Sequence, residues 1–165
     1  ESSPDMQRID ITSAQEMHAK VHEHLAAADI FIGVAAVADY RPANPEEQKI
    51  KRHLKADEDV KLSLIENPDI IASVVRAKQA KVVVGFAAET HDTLQNARDK
   101  RVRKGLDAIV VNDVSDQRIG FNSRDNEVTL IHEGGDIHFG KQSKTAIAQQ
   151  LMEQVVELFA AKIEL

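Results

Sequence analysis

The chain has 165 residues, of which 42% are hydrophobic and 4% aromatic, and it contains neither Cys nor Trp. That is enough for one aliphatic-cored domain over residues 1–165, and it excludes wholesale disorder, a disulfide framework, a thiolate nucleophile and a zinc finger. The formal charge of −6, from 21 basic and 27 acidic residues, disfavours a general nucleic-acid binder.

The opening is polar (Glu1 to Pro4, then Arg8 to Ile11), without the basic-then-apolar leader of a secreted protein. Thr12 or Ser13 is predicted to cap a helix running to about Ala28, with Met17, Val21 and Leu25 on one face. The apolar run 30–38 follows, apolar on both faces as in a central strand covered by helices on both sides. It is about half the length of a membrane-crossing helix, so a soluble cytoplasmic domain without a membrane partner is expected. Residues 43–55, flanked by prolines and mixed in charge, read as a loop in the position of an active-site flap. A short alternating strand is expected at 60–65.

Asn67, Pro68 and Asp69 form a helix start, with Asn67 as the cap and Pro68 at the first helical position, and the helix reaches about Gln79. Residues 82–88 and 108–111 are further doubly apolar strands. Between them a helix capped by Thr90 ends at Gly105, with Leu94, Ala97 and Val102 as its inner stripe. Residues 127–132 and 136–139 alternate around Gly134 and Gly135, which predicts a hairpin at a sheet edge. The last helix begins near Ser143, with Ile147, Leu151, Val155, Leu158 and Phe159 along one side.

This order predicts an α/β fold: a Rossmann-like, open, mostly parallel sheet with helices on both faces and a C-terminal hairpin. An open sheet that binds nucleotide usually begins with a strand and a glycine-rich turn. Neither is present here, so the fold does without that element or the chain lacks its front.

Nine of the 21 basic residues fall in two windows, 49–55 and 98–104, beside a single acid, Asp99. Such clusters suit a small anion, or are simply two solvated stretches. Ligands of open α/β sheets bind beyond the carboxyl ends of the strands. The polar residues expected there are Asp39 and Tyr40, Glu89 and Thr90, and Asn112 and Asp113, which could hold a ligand or cap helices. The helix start at Asn67 offers free amides, but Asp69 in its first turn suits a base or sugar better than a phosphate. Lys100 and Lys104 lie one helical turn apart and could both reach a polyphosphate, whereas Arg103 should face solvent. Lys49 on the flap could swing over a phosphate or remain solvated. His18, His22 and His24 have no acidic or Cys partner at metal-ligand spacing, and no GxSxG or Walker loop occurs.

Seven motifs in order carry a family resemblance: GVAAVADYRP (33–42), PEEQKIKR (45–52), NPDII (67–71), VVGFAAET (83–90), ARDKRVRKG (97–105), VNDVS (111–115) and GFNS (120–123). Together they resemble bacterial phosphopantothenoylcysteine synthetase, also called phosphopantothenate–cysteine ligase, over nearly the whole chain. The resemblance implies a Rossmann-like homodimeric enzyme of coenzyme A biosynthesis. With Mg2+, CTP activates 4′-phosphopantothenate as an acyl-cytidylate; cysteine then attacks to give 4′-phosphopantothenoylcysteine and CMP. The family is commonly fused to an upstream flavin (FMN) decarboxylase half.

By the same resemblance, Gly33, Val34 and Ala35 line the nucleotide site and Asp39 contacts CTP. Lys49 is the catalytic flap residue on the triphosphate. Pro68, Asp69, Ile70, Ile71 and Phe86 surround the cytidine, and Lys100 and Lys104 complete the triphosphate contacts; no metal ligand is assigned. Family members begin with a strand and an Asn-x-Ser-Ser-Gly loop that this sequence lacks, which implies the C-terminal portion of the synthetase. The readings set against a ligase are an NAD(P)-binding oxidoreductase, opposed by the missing GxGxxG, and a non-catalytic or incomplete nucleotide-binding module.

Overall fold

The computed structural model describes residues 6–46, 48, 61–89, 92–113 and 123–163. Helix α1 (Ala14–His24) starts at Ser13, whose Oγ accepts from the Glu16 amide at 3.2 Å. Glu16 reaches back to the Thr12 amide at 2.7 Å, so Thr12 supports the cap that Ser13 makes. Strand β1 (Ile30–Gly33) follows. A separate antiparallel ribbon, β2 (Tyr40–Pro42) with β3 (Leu64–Glu66), stands apart from the main sheet. Then come α2 (Ile70–Ala77), β4 (Val82–Glu89), α3 (Thr93–Lys104), β5 (Ala108–Asp113), β6 (Asp125–His132), β7 (Gly135–Ser143), α4 (Lys144–Leu158) and the short α5 (Ala160–Ile163).

The main sheet has the order β1-β4-β5-β6-β7. Its parallel part is confined to β1, β4 and β5, while β6 runs antiparallel to both β5 and β7. The sheet is therefore mixed, not mostly parallel as expected. Helical crossovers carry the chain back to start β4 and β5 in the same direction, whereas the tight turn at Gly134 and Gly135 forces β7 to reverse. That hairpin forms the sheet edge, as its alternation predicts.

Helices cover both faces, as the doubly apolar strands require. One core joins Val84, Val110, Leu130 and Phe139 to α4 through Ile147, Leu151 and Val155. The other joins Val83, Ile109, Val111 and Ile131 to Leu25 after α1, Val74 of α2 and Ala97 of α3. None of the helices among the described residues is long and apolar enough to cross a membrane.

Four expectations are corrected. Strand β1 stops at Gly33 instead of Ala38, and among the described residues it has only β4 as a neighbour, so it lies at the edge, not the centre. The small apolar residues after it leave the sheet to meet the start of α2. The cap of α2 is Asp69, whose side chain accepts from the Ala72 amide, not Asn67, and the helix ends at Ala77 with Lys78 left-handed. The residue before α3 is Asp92, while Thr90 lies outside the described residues. Within α3, Ala97 is buried but Val102 is 70% exposed and Leu94 41%, so the inner stripe is not the apolar one expected. Gly105 ends α3 at φ 67°, as predicted.

Register explains how α2 reaches the sheet. Gly33 on β1 pairs with Gly85 on β4. A Cβ on either glycine would lie 3.2 Å from Ile71 Cδ1. The two bare backbones form a seat for Ile71, letting α2 settle close to the sheet and bringing its N-terminus to the rim.

Candidate functional site

A cavity of about 930 Å³ opens at the carboxyl ends of β1, β4 and β5. Its walls come from five places. The stretch after β1 supplies Gly33, Val34, Ala35 and Asp39; the start of α2 supplies Asn67 to Ile71; β4 supplies Gly85 to Ala88; α3 supplies Lys100 and Lys104; and α4 supplies Ile147, Leu151 and Met152. All eleven described residues expected at a nucleotide site line this one cavity: Gly33, Val34, Ala35, Asp39, Pro68, Asp69, Ile70, Ile71, Phe86, Lys100 and Lys104. The twelfth, Lys49, lies outside the described residues, as does the basic window 49–55 that contains it.

Asn67 ties two of these walls together. Its Nδ2 donates to the Ala38 carbonyl at 2.9 Å, its backbone amide donates to the Asp39 carbonyl at 2.8 Å, and its Oδ1 accepts from Arg41 at 3.2 Å. Asp39 is thus fixed by the α2 start and not by the end of a strand, six residues past which it sits. Asp39 lines the cavity.

Lys100 and Lys104 face the cavity because α3 turns its charged side inward around Ala97. Arg103 faces solvent, as expected. Lys104 is paired: its Nζ lies 3.0 Å from Asp69 Oδ2. Burial pushes the Asp69 carboxyl up, but the Ala72 amide, Lys104 and Arg76 outweigh it and leave the group below its ordinary value. Asp69 is consequently ionised at neutral pH, and its cap on α2 should be lost only as pH falls through that lowered pKa.

Asn112, at the end of β5, is 8% exposed and also lines the cavity, and its Oδ1 finds no hydrogen-bond partner among the described residues. A buried acceptor left unpaired costs about 1–3 kcal/mol, which marks Asn112 as a residue to test at this rim. The strand-end polar pattern pointed to this residue. Lys144 and Asn126, which also line the cavity, were not foreseen; only the fold brings β6 and the α4 start to this rim.

Chemically, the site combines an apolar wall with lysines on one side. No group of three or more His, Asp or Glu side chains among the described residues could hold a metal ion. Mg2+ commonly keeps its waters and is held by one or two carboxylates plus substrate phosphates. Asp39 is the carboxylate of this rim that could join such an ion when it arrives on a ligand, since Asp69 is already paired with Lys104.

The cavity lies where open α/β sheets take their ligands, beyond the carboxyl ends of the strands. The sequence profile of the DNA/pantothenate metabolism flavoprotein C-terminal domain family (DFP) matches residues 1–159, and the chain belongs to that family. It is 40% identical over 160 residues to the "Coenzyme A biosynthesis bifunctional protein CoaBC" of Escherichia coli (strain K12), covering 96% of this chain and 39% of that protein. The Vibrio cholerae protein of the same name is 44% identical over 151 residues, covering 91% of this chain and 38% of that protein. The chain thus spans about two fifths of these relatives. The crystal structure of the C-terminal domain of a CoaBC protein superimposes with a TM-score of 0.72 at 27% identity, covering 93% of this chain and 66% of that one.

Proposed function

We propose that this chain is the nucleotide-binding part of a CTP-dependent phosphopantothenate–cysteine ligase acting in coenzyme A biosynthesis. The observation that carries the reading is the gathering around one rim cavity of eleven residues that the family resemblance names from distant segments, with two lysines on one wall. The names of the relatives support it, as does a fold-level likeness (TM-score 0.72 at 16% identity) to the "Cab2 mutant H337A complex with phosphopantothenate-cysteine".

In this reading a carboxylate oxygen of 4′-phosphopantothenate attacks the α-phosphate of CTP, and pyrophosphate leaves. The amine of cysteine then attacks the acyl carbon, CMP leaves, and the amide of 4′-phosphopantothenoylcysteine results. No protein nucleophile is required. The site holds the reactants in line and neutralises charge on the departing pyrophosphate. Lys100 and Lys104 do this from α3, and Mg2+ arrives with the phosphates. Lys49 acts from the flap. The base and ribose lie against Phe86 and the α2 start.

Calorimetric titration tests the reading: CTP with Mg2+ should bind more tightly than ATP or NADP, and equal or absent CTP binding contradicts it. The second copy of a homodimer would close on the β2–β3 ribbon, where Tyr40, Leu64 and Ile65 are 56%, 57% and 41% exposed. Sedimentation over a concentration range should show a two-chain species; a single-chain species throughout contradicts the dimer.

A further inference from the structure

The two cavity lysines of α3 differ in their surroundings. Lys104 Nζ lies 3.0 Å from Asp69 Oδ2 and 3.2 Å from Asp69 Oδ1, and its side chain is only 23% exposed. Lys100, one turn earlier on the same wall, makes no hydrogen bond or ion pair to any described residue. Asp69 is anchored independently of Lys104, because Oδ1 accepts the Ala72 amide at 3.1 Å and caps α2. The carboxylate therefore stays in place whatever the lysine does. A phosphate that reaches Lys104 finds its position beside the ammonium already taken by a fixed negative charge, and the two like charges repel at that range.

We propose that Asp69 is a built-in counter-ion of Lys104, exchanged for a ligand phosphate on binding and restored when that phosphate leaves, so that it tunes how strongly the site prefers a polyphosphate to a monophosphate. The proposal rests on the nucleotide reading of this cavity. It gives the residue two jobs with opposite demands. The cap requires a side-chain acceptor at position 69, and the exchange requires a negative charge there. Lys100 makes the first contact with an incoming tail, and Lys104 follows only when the ligand competes successfully with Asp69. When pyrophosphate departs, the lysine returns to a partner 3.0 Å away and is not left uncompensated in a half-enclosed wall. The same pair lowers the penalty of holding Lys104 at the rim.

The two jobs separate by substitution. Asp69→Asn keeps a side-chain cap and removes the charge. It should bind inorganic tripolyphosphate and CTP with Mg2+ about fivefold more tightly than the wild type, and gain less for CMP, since any effect on the cytidine is common to both nucleotides. Asp69→Ser, a second capping residue without charge, should show the same gain, and far-UV circular dichroism should show both variants folded. In a Lys104→Ala background the gain from Asp69→Asn should vanish. Equal CTP and tripolyphosphate affinities in wild type and both variants overturn the proposal while leaving the nucleotide reading standing. An equal gain for CMP, or a gain that persists without Lys104, also overturns it. A wild-type chain that binds neither CTP nor tripolyphosphate overturns the nucleotide reading and the proposal together.

Discussion

Replacing both cavity lysines, as Lys100→Ala with Lys104→Ala, should weaken CTP binding by about 100-fold while changing CMP affinity by less than about threefold. In the proposed reading each lysine would supply a charge-assisted contact to the tail, and CMP has no β- or γ-phosphate to meet either one. Neither side chain contributes to the apolar cores, so the double variant should unfold near the wild-type temperature. A small loss there would come from the Lys104–Asp69 pair, worth at most about 1 kcal/mol at this exposure. Calorimetry with both nucleotides separates the outcomes. If CTP and CMP lose affinity equally, the lysines do not hold the phosphate tail.

The second large effect lies beneath α2. A Cβ at Gly85 would sit 2.7 Å from Leu106 Cδ1 and 3.2 Å from Ile71 Cδ1, in the middle of a central strand. Gly85→Val should cost about 3 kcal/mol through overpacking and lower Tm by roughly 6–12 °C. Because Ile71 belongs to the first turn of α2, the displaced helix should also loosen the cavity wall from Asn67 to Ile71 and weaken CTP. Gly140 on the edge strand β7 is the matched control: a Cβ there meets nothing within 4 Å, so Gly140→Val should leave both properties unchanged. Thermal melts followed by circular dichroism measure both variants. A Gly85→Val protein as stable as the wild type would mean the glycine seat does not set the position of α2.

The parts of this molecule that were legible in sequence are those set by local chemistry. Ser13, Gly105 and Ser143 mark helix ends because each side chain or backbone satisfies its own turn. The hairpin at Gly134 and Gly135 and the buried strands 82–88 and 108–111 follow from period and apolar content. The misreadings occurred where tertiary partners decide. Asn67, Pro68 and Asp69 are all helix-start residues, and the choice of Asp69 as the cap depends on Asn67 being used 29 residues away, at Ala38. The run 30–38 carries no mark at Gly33, because the point where a strand leaves its neighbour is not written in a string of Val and Ala.

Helix α3 departs from the pattern that its apolar residues predict. Its apolar residues Leu94 and Val102 point outward while lysines face the cavity, the reverse of what burial alone would choose. Such a local departure from the amphipathic rule is what the proposed binding site would require. The site residues themselves came from the ordered motifs, not from periodicity. What the motifs did not reveal was the Lys104–Asp69 pair, the Asn67 tie and the orphan acceptor on Asn112, all of which depend on which side chains meet across distant segments.

The most direct test is a titration of the isotope-labelled chain with CTP and Mg2+, followed amide by amide by NMR, with CMP in parallel. CTP should move resonances in 33–39, 67–71, 86–88 and 100–104 together, and CMP should move the first three groups while sparing the last. Shifts confined to the apolar groove around Ile9, Ile11, Val21 and Leu25, with the rim cavity silent, would contradict the account.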